Sequence, residues 1–203
     1  MQGTIAAVIL AGGQGRRLGG VDKALLPLAG QPLLAHVLAR LLPQTTWIVL
    51  SANGDPSRFQ DFALPVTADA APDQGPLAGI AAGAQVCKDR WPKVTHILTI
   101  PVDTPLLPLD LAARLAAQAT THPGQAAVAQ VGARMHWTVA LWPVEGAAAL
   151  EKSVRSGGMR RVQDGLETLG CQAVSFPDIT AFTNINDMAD YESLTRALIE
   201  IKC

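Results

Sequence analysis

Short apolar runs of strand length alternate with amphipathic helical stretches, and turns rich in glycine and proline separate them. Together these predict an α/β fold, a mostly parallel sheet with helices on both faces. With 203 residues, 49% of them hydrophobic, the chain has enough apolar side chains for one large domain with a sizeable core. Ile5 to Leu10 is too short for a globular helix and is bounded by glycine, so it reads as the first, buried strand. Gln31-Pro32 opens a helix whose apolar set, Leu33, Val37, Leu38 and Leu41, keeps helical spacing, and Pro43 ends it. Trp47 to Ser51 is the second strand, and the turn residues of Ala52 to Pro56 break it. A short third strand near Pro65-Val66-Thr67 ends at Asp69.

Leu77 to Cys87 reads as a helix rich in alanine and glycine, suited to close packing on a sheet, with Lys88 to Lys93 as a polar return. His96 to Ile100 is a strand that runs directly into Pro101-Val102-Asp103-Thr104-Pro105. Pro108-Leu109-Asp110 starts a helix that extends to about Ala119. Ala126 to Gln130 and Trp137 to Trp142 read as paired strands flanking Gly132-Ala133-Arg134, and Gly146 to Ser156 as helical. Cys171 to Phe176 is a further strand, and Asp187 to Ile201 a terminal helix with Tyr191, Leu194, Leu198 and Ile201 on one face. Trp47, Trp91 and Trp142 read as packing residues. No repeat, linker or low-complexity tract divides the chain, so residues 1–203 are expected to form a single-domain, Rossmann-like three-layer sandwich.

Lys plus Arg is 16 and Asp plus Glu is 17, so there is no global basic field of the kind nonspecific nucleic-acid binders use. Positive charge that meets a ligand must therefore be local, as at Arg16-Arg17 and in Arg155 to Arg161. Cys87, Cys171 and Cys203 are too few and too far apart for a disulfide framework or zinc spacing, and read as buried or terminal thiols. No basic leader with an apolar core is visible, and no stretch reaches the ~18 apolar residues of a membrane span. A reducing cytoplasm is the expected compartment, with neither nucleic acid nor membrane as partner.

The chemistry concentrates in Leu10-Ala11-Gly12-Gly13-Gln14-Gly15-Arg16-Arg17-Leu18-Gly19-Gly20-Val21-Asp22-Lys23, which sets glycines and cations directly behind the first strand. Glycines let backbone N–H groups approach an anion closely, and the cations add full charge, as a triphosphate cradle requires. Two familiar motifs fail: the dinucleotide fingerprint meets Leu18 where its third glycine belongs, and the phosphate-loop pattern meets Asp22 before Lys23 and Ala24 after it. The plainer alternative is a mobile surface loop.

Ligands of open parallel sheets gather outside the C-terminal strand ends. Four polar features fall there: the glycine loop, Asn53, Asp69 and Asp103. Asp103, boxed between Pro101 and Pro105, is the expected Mg²⁺ carboxylate, since that ion takes one or two carboxylates plus substrate phosphates; a turn or capping role is the alternative. Lys23 is expected to sit on the phosphates as a point charge.

The loop, together with Gly30-Gln31-Pro32-Leu33, Ser51-Ala52-Asn53, Gly75 to Gly79, Pro101 to Pro105, Arg160-Arg161-Val162 and Phe182 to Asn186, resembles the signature of the molybdenum cofactor guanylyltransferases. These are a branch of the α/β nucleotidyltransferases, and the likeness covers nearly the whole chain. The resemblance implies transfer of GMP from GTP to molybdenum-molybdopterin, with pyrophosphate released and Mg²⁺ as cofactor. It implies GTP contacts from Leu10, Ala11, Gly12, Gly13, Lys23, Asn53, Asp69 and Asp103, with Asp73 an alternative to Asp69. The catalytic residues are Lys23, Asp103 and Arg17, with Asp103 holding Mg²⁺ and charge stabilisation coming from Mg²⁺, Lys23, Arg17 and the loop amides. Acceptor binding falls to Arg160, Arg161, Asn184 and Asn186. Cofactor-delivery or acceptor proteins are further candidate partners. The sequence departs from the pattern at His136-Trp137, where related sequences carry proline after histidine; His136 is read as a strand-start residue satisfying local hydrogen bonds. The alternatives are a sister cytidylyl- or sugar-phosphate transferase, or a non-catalytic cofactor binder of the same fold.

Overall fold

The computed structural model describes residues 4–12, 14–15, 21–69 and 74–202. Its central sheet has seven strands, numbered here in chain order. They are β1 (Thr4–Leu10), β2 (Trp47–Ser51), β3 (Val66–Thr67), β4 (Val94–Pro101), β5 (Ala126–Val131), β6 (Arg134–Pro143) and β7 (Cys171–Ser175). The order across the sheet is β7-β5-β6-β4-β1-β2-β3. All neighbours run parallel except where β6 lies antiparallel to β4 and β5.

Strand alternation builds the layers, because successive side chains point to opposite faces. In β1, Ala7 and Ile9 join the core under α1 (Leu33–Leu41) and α3 (Leu111–Thr121). Ala6, Val8 and Leu10 join the opposite core, under α2 (Pro76–Arg90), α4 (Val144–Ala149), α5 (Glu151–Arg155) and α6 (Val162–Leu169). The three-layer α/β fold expected from the sequence is therefore present. A third, smaller cluster of Leu28, Leu33, Ile185 and Leu194 docks α7 (Met188–Lys202), and Tyr191 Oη donates to the Pro27 carbonyl at 2.6 Å.

The alanine- and glycine-rich helix α2 lies closest to the sheet. A Cβ on Gly83 would come within 2.4 Å of Val8 Cγ1 and 2.9 Å of its Cγ2. Gly83→Ala is accordingly expected to lose about 1–3 kcal/mol by overpacking, more than the helix-propensity gain of about 1 kcal/mol returns. A lower denaturation midpoint at unchanged m-value, relieved when Val8→Ala is added, would verify the contact.

Four local readings are corrected. Lys88 to Arg90 is the last turn of α2 rather than a polar return: basic side chains suit a helix C-terminus, and Trp91 follows as its cap, stacked on Trp47 at 6.0 Å. The expected helix over Gly146 to Ser156 is two short helices meeting at Leu150, beginning already at Val144. The turn after β2 continues into a 3-10 helix, Pro56–Phe62, capped by the Asp55 carboxylate on Ser57 N at 2.9 Å. Helix α6 was not foreseen at all. No side chain caps it, and Gly165 in its middle weakens the helical signal, yet a Cβ there would meet Leu77 Cδ1 at 2.9 Å.

Candidate active site

The strand order reverses at β1, because the chain moves outward through β2 and β3 and then returns to place β4 on the other side of β1. The crevice beyond the carboxyl ends at such a reversal is the ligand site of open α/β sheets. Three backbone bonds continue the ladders past these ends and fix them to one another: Ala11 N to Ser51 O at 2.8 Å, Ala52 N to Thr67 O at 2.9 Å, and Val102 N to Leu10 O at 3.0 Å. Leu10, Ala11 and Gly12 thus lead from β1 between Asn53 and Asp69 on one side and Asp103 on the other.

On the β2–β3 side, Asn53 and Asp69 pair reciprocally. Asn53 Nδ2 donates to Asp69 Oδ2 at 2.7 Å, and Asp69 N donates to Asn53 Oδ1 at 2.9 Å. Ser51 Oγ donates to Asp69 Oδ1 at 3.3 Å. This approach requires Gly79 of α2, where a Cβ would lie 2.4 Å from Ser51 Oγ and 3.0 Å from Asp69 Oδ1. A Cβ on Gly12 would sit 3.9 Å from Asp69 Oδ2, so the start of the glycine loop adjoins this pair.

On the β4 side, Lys23 Nζ donates to Asp103 Oδ2 at 2.8 Å, and the two side chains are 17% and 16% exposed. Lys23 stands on a 3-10 turn, Lys23–Leu25, whose start is capped by Asp22 Oδ1 accepting from Ala24 N at 3.0 Å. The flanking prolines were expected to hold Asp103; the structure adds a strut from far along the chain. Ile185 N donates to the Asp103 carbonyl at 2.9 Å, and Thr104 Oγ1 donates to Asn184 Oδ1 at 3.0 Å. Asp103 Oδ1 is buried and has no hydrogen-bond partner among the described residues. An unpaired buried carboxylate oxygen is costly, and a cation is a natural partner for it. Among the described residues no group of three or more His, Cys, Asp or Glu side chains gathers as a metal cage. The donor set therefore fits a divalent ion that takes one carboxylate from the protein and its other oxygens from phosphates and water.

A family profile, the MobA-like NTP transferase domain, matches residues 7–169, a span that includes β1, the glycine loop and β4. The chain belongs to the MobA-like nucleotidyltransferase family. Its relatives include a molybdenum cofactor guanylyltransferase from Mesorhizobium japonicum, 45% identical over 204 residues and covering 98% of both chains. Another, with the same name, from Acidiphilium cryptum is 46% identical and covers 93% of both. Among solved structures, the molybdopterin-guanine dinucleotide biosynthesis protein A of Archaeoglobus fulgidus superposes with a TM-score of 0.74 at 20% identity, over 96% of this chain and 99% of the other. That likeness shows the shared fold.

In this MobA-like transferase, Arg160 and Arg161 are exposed and immediately precede α6. The Arg160 carbonyl would be 3.4 Å from a Cβ on Gly75, whose φ of +77° favours glycine at the start of α2. The two helix starts are thus neighbours. Asn184 is partly buried and engaged by Thr104, whereas Asn186 is exposed and its backbone N–H donates to Asp190 Oδ2 at 2.9 Å. Gly13, Arg17 and Asp73 lie outside the described residues. Ser51, Gly79 and Thr104 were missed in the sequence, although the glycines of Gly75-Pro76-Leu77-Ala78-Gly79, spaced one helical turn apart, carried a signal of close approach.

The expectation for His136 is also corrected. Its ring is buried 4.8 Å from Phe182, beside an irregularity in β6 between His136 and Ala140, and Nε2 has no hydrogen-bond partner among the described residues. Burial, assisted by Arg134, lowers its pKa below the ordinary 6.5, and burial alone lowers that of His96. The unfolded chain therefore takes up these protons first, so stability is full above about pH 6.5 and declines as pH falls below it. Acid unfolding followed between about pH 7 and pH 5 should be flatter in His136→Gln than in the parent. An unchanged slope would remove the role given to burial.

Proposed function

We propose that this chain transfers the GMP moiety of GTP to the terminal phosphate of molybdenum-molybdopterin in the cytoplasm, yielding the guanine dinucleotide form of the cofactor and pyrophosphate. The observation that carries the reading is the placement of two polar pairs, Asn53–Asp69 and Lys23–Asp103, on either side of the segment leaving β1. Relatives of 45% and 46% identity that bear the guanylyltransferase name support GTP over other nucleotides. The nucleoside end of GTP is assigned to Asn53 and Asp69. Its phosphates fall to the backbone of Leu10 to Gly13, Lys23 and Arg17. Arg160, Arg161, Asn184 and Asn186 are assigned to the acceptor, so within one domain the N-terminal part binds the nucleotide and the C-terminal part mainly the pterin.

The acceptor phosphate oxygen attacks the α-phosphorus of GTP in line. A new P–O bond forms there as the bond to the bridging α,β-oxygen breaks, and that electron pair leaves with pyrophosphate. The attacking phosphate is already ionised, so no side chain has to remove a proton. The protein's contribution is positioning together with cationic and N–H groups aimed at the oxygens where charge grows. Asp103 is the residue that would hold Mg²⁺, which when bound supplies charge neutralisation at the phosphates. Lys23, standing on its capped turn, supplies a fixed positive charge beside the same carboxylate.

Calorimetric titration of the purified protein with GTP and with CTP, each with Mg²⁺, tests the nucleotide. GTP is expected to bind measurably tighter, whereas preference for CTP would overturn the guanylyl assignment. Pyrophosphate release from GTP plus the molybdenum-loaded pterin tests the reaction; none at saturating substrate would leave a binder.

A further inference from the structure

Between the two polar pairs stands an arginine with no evident sequence signal. Arg58, in the 3-10 helix Pro56–Phe62, directs each of its three guanidinium nitrogens to a separate partner. Its Nε donates to Asp22 Oδ2 at 2.7 Å, Nη2 donates to the Asn53 carbonyl at 2.6 Å, and Nη1 donates to the Asp55 carbonyl. The guanidinium lies 4.4 Å above the ring of Phe59, which is 1% exposed, so packing restrains it from below. Both side chains of the Arg58–Asp22 ion pair are largely shielded, at 27% and 25% exposure.

The partners of Arg58 belong to opposite halves of the crevice. Asn53 carries the pair with Asp69. Asp22 pairs with Gln14 in the two-stranded ladder Gln14–Gly15/Val21–Asp22 that closes the stem of the glycine loop, and it also caps the turn bearing Lys23. A planar fork that fixes a carbonyl with one nitrogen and a carboxylate with another transmits position between them, which a lysine's point charge cannot do. We propose that Arg58 is a positioning residue that couples the nucleoside side of the site to the triphosphate side: a ligand ordering Asn53 orders the glycine-loop stem and Lys23 through Arg58 and Asp22, and the reverse. The coupling rests on the GTP assignment above. It makes occupation of the two sides cooperative, and such a linkage is reciprocal.

The test uses the whole protein with guanosine as probe of one side, inorganic tripolyphosphate as probe of the other, and GTP spanning both. In the parent, saturating guanosine is expected to tighten tripolyphosphate binding by about fivefold or more. In Arg58→Ala this factor falls to one, and the KM for GTP rises about tenfold while kcat changes little, as loss of charge-assisted bonds outside the reacting atoms requires. Asp22→Asn keeps its one oxygen to cap Ala24 N and turns an NH2 donor toward Arg58 Nε, removing both the charge and the acceptor, so it should lose the same coupling. The double variant should lose no more than either single one. Arg58→Lys should retain part of the affinity for GTP but not the coupling. These two conservative variants carry the test if Arg58→Ala does not fold. Guanosine and tripolyphosphate binding independently in a parent that binds GTP would overturn this inference alone. A parent that does not bind GTP would overturn the GTP assignment and the coupling with it.

Discussion

Asp103→Asn is expected to lower GMP transfer by about 10²- to 10³-fold, the loss typical of removing a group that stabilises charge in the transition state. The substitution is nearly isosteric, so Ile185 N can still donate to the main-chain carbonyl and Thr104 to Asn184. Lys23 also keeps a side-chain oxygen to donate to. Folding should therefore change little while the charge that would hold the divalent ion disappears. With the side-chain oxygen turned to Lys23, the amide NH2 stands where Oδ1 was and offers no lone pair to a hard cation. Steady-state pyrophosphate release measured across Mg²⁺ concentrations checks this, with thermal unfolding as the control. Turnover close to the parent at limiting Mg²⁺ would remove the metal role from Asp103.

Lys23→Ala is expected to lower turnover by about 10²-fold and, unlike Asp103→Asn, to cost stability as well. It strands the Asp103 carboxylate without its cation in a site only 16% exposed. Solvent still reaches the pair, which discounts the penalty to about 1–2 kcal/mol rather than the 3–5 of a fully buried pair. The two roles proposed for Asp103, partner of Lys23 and holder of a divalent ion, also compete for the same carboxylate. Removing the lysine should therefore tighten Mn²⁺ binding to the nucleotide-free protein even as activity falls. Weaker Mn²⁺ binding in Lys23→Ala would show that the ammonium and the metal do not share Asp103. Combined with Asp103→Asn, the lysine change should lose little further stability, because no charge is then left unpaired.

The strands were legible because their signals are local. Residues 4–10, 47–51 and 94–101 are apolar runs bounded by turn formers, and alternation along each one distributes its side chains between the two cores. Helix α2 was legible by composition, although its end was not, since polar residues suit a helix C-terminus as well as a loop. Helix α6 was hidden because Gly165 serves a contact with Leu77, a reason that appears only once the two helices meet. The same holds for His136: its sequence position suggested an ordinary strand start, whereas in the fold its ring packs on Phe182 and its buried Nε2 has no partner among the described residues.

The candidate site divides along the same line. By itself the sequence determined the α/β fold, the glycine loop behind the first strand and the placing of Asn53, Asp69 and Asp103 at strand ends, because strand periodicity and turn chemistry act over a few residues. Tertiary structure alone decided the partnerships. Lys23 and Asp103 are 80 positions apart, Thr104 and Asn184 also 80, and Arg58 and Asp22 36. Such pairs form when the sheet brings β1, β2, β3 and β4 side by side and the returning chain places residues 184–185 against Asp103. A hydrogen bond selects its partner by distance and angle to within tenths of an ångström, and no local pattern in the sequence encodes a distance of that kind.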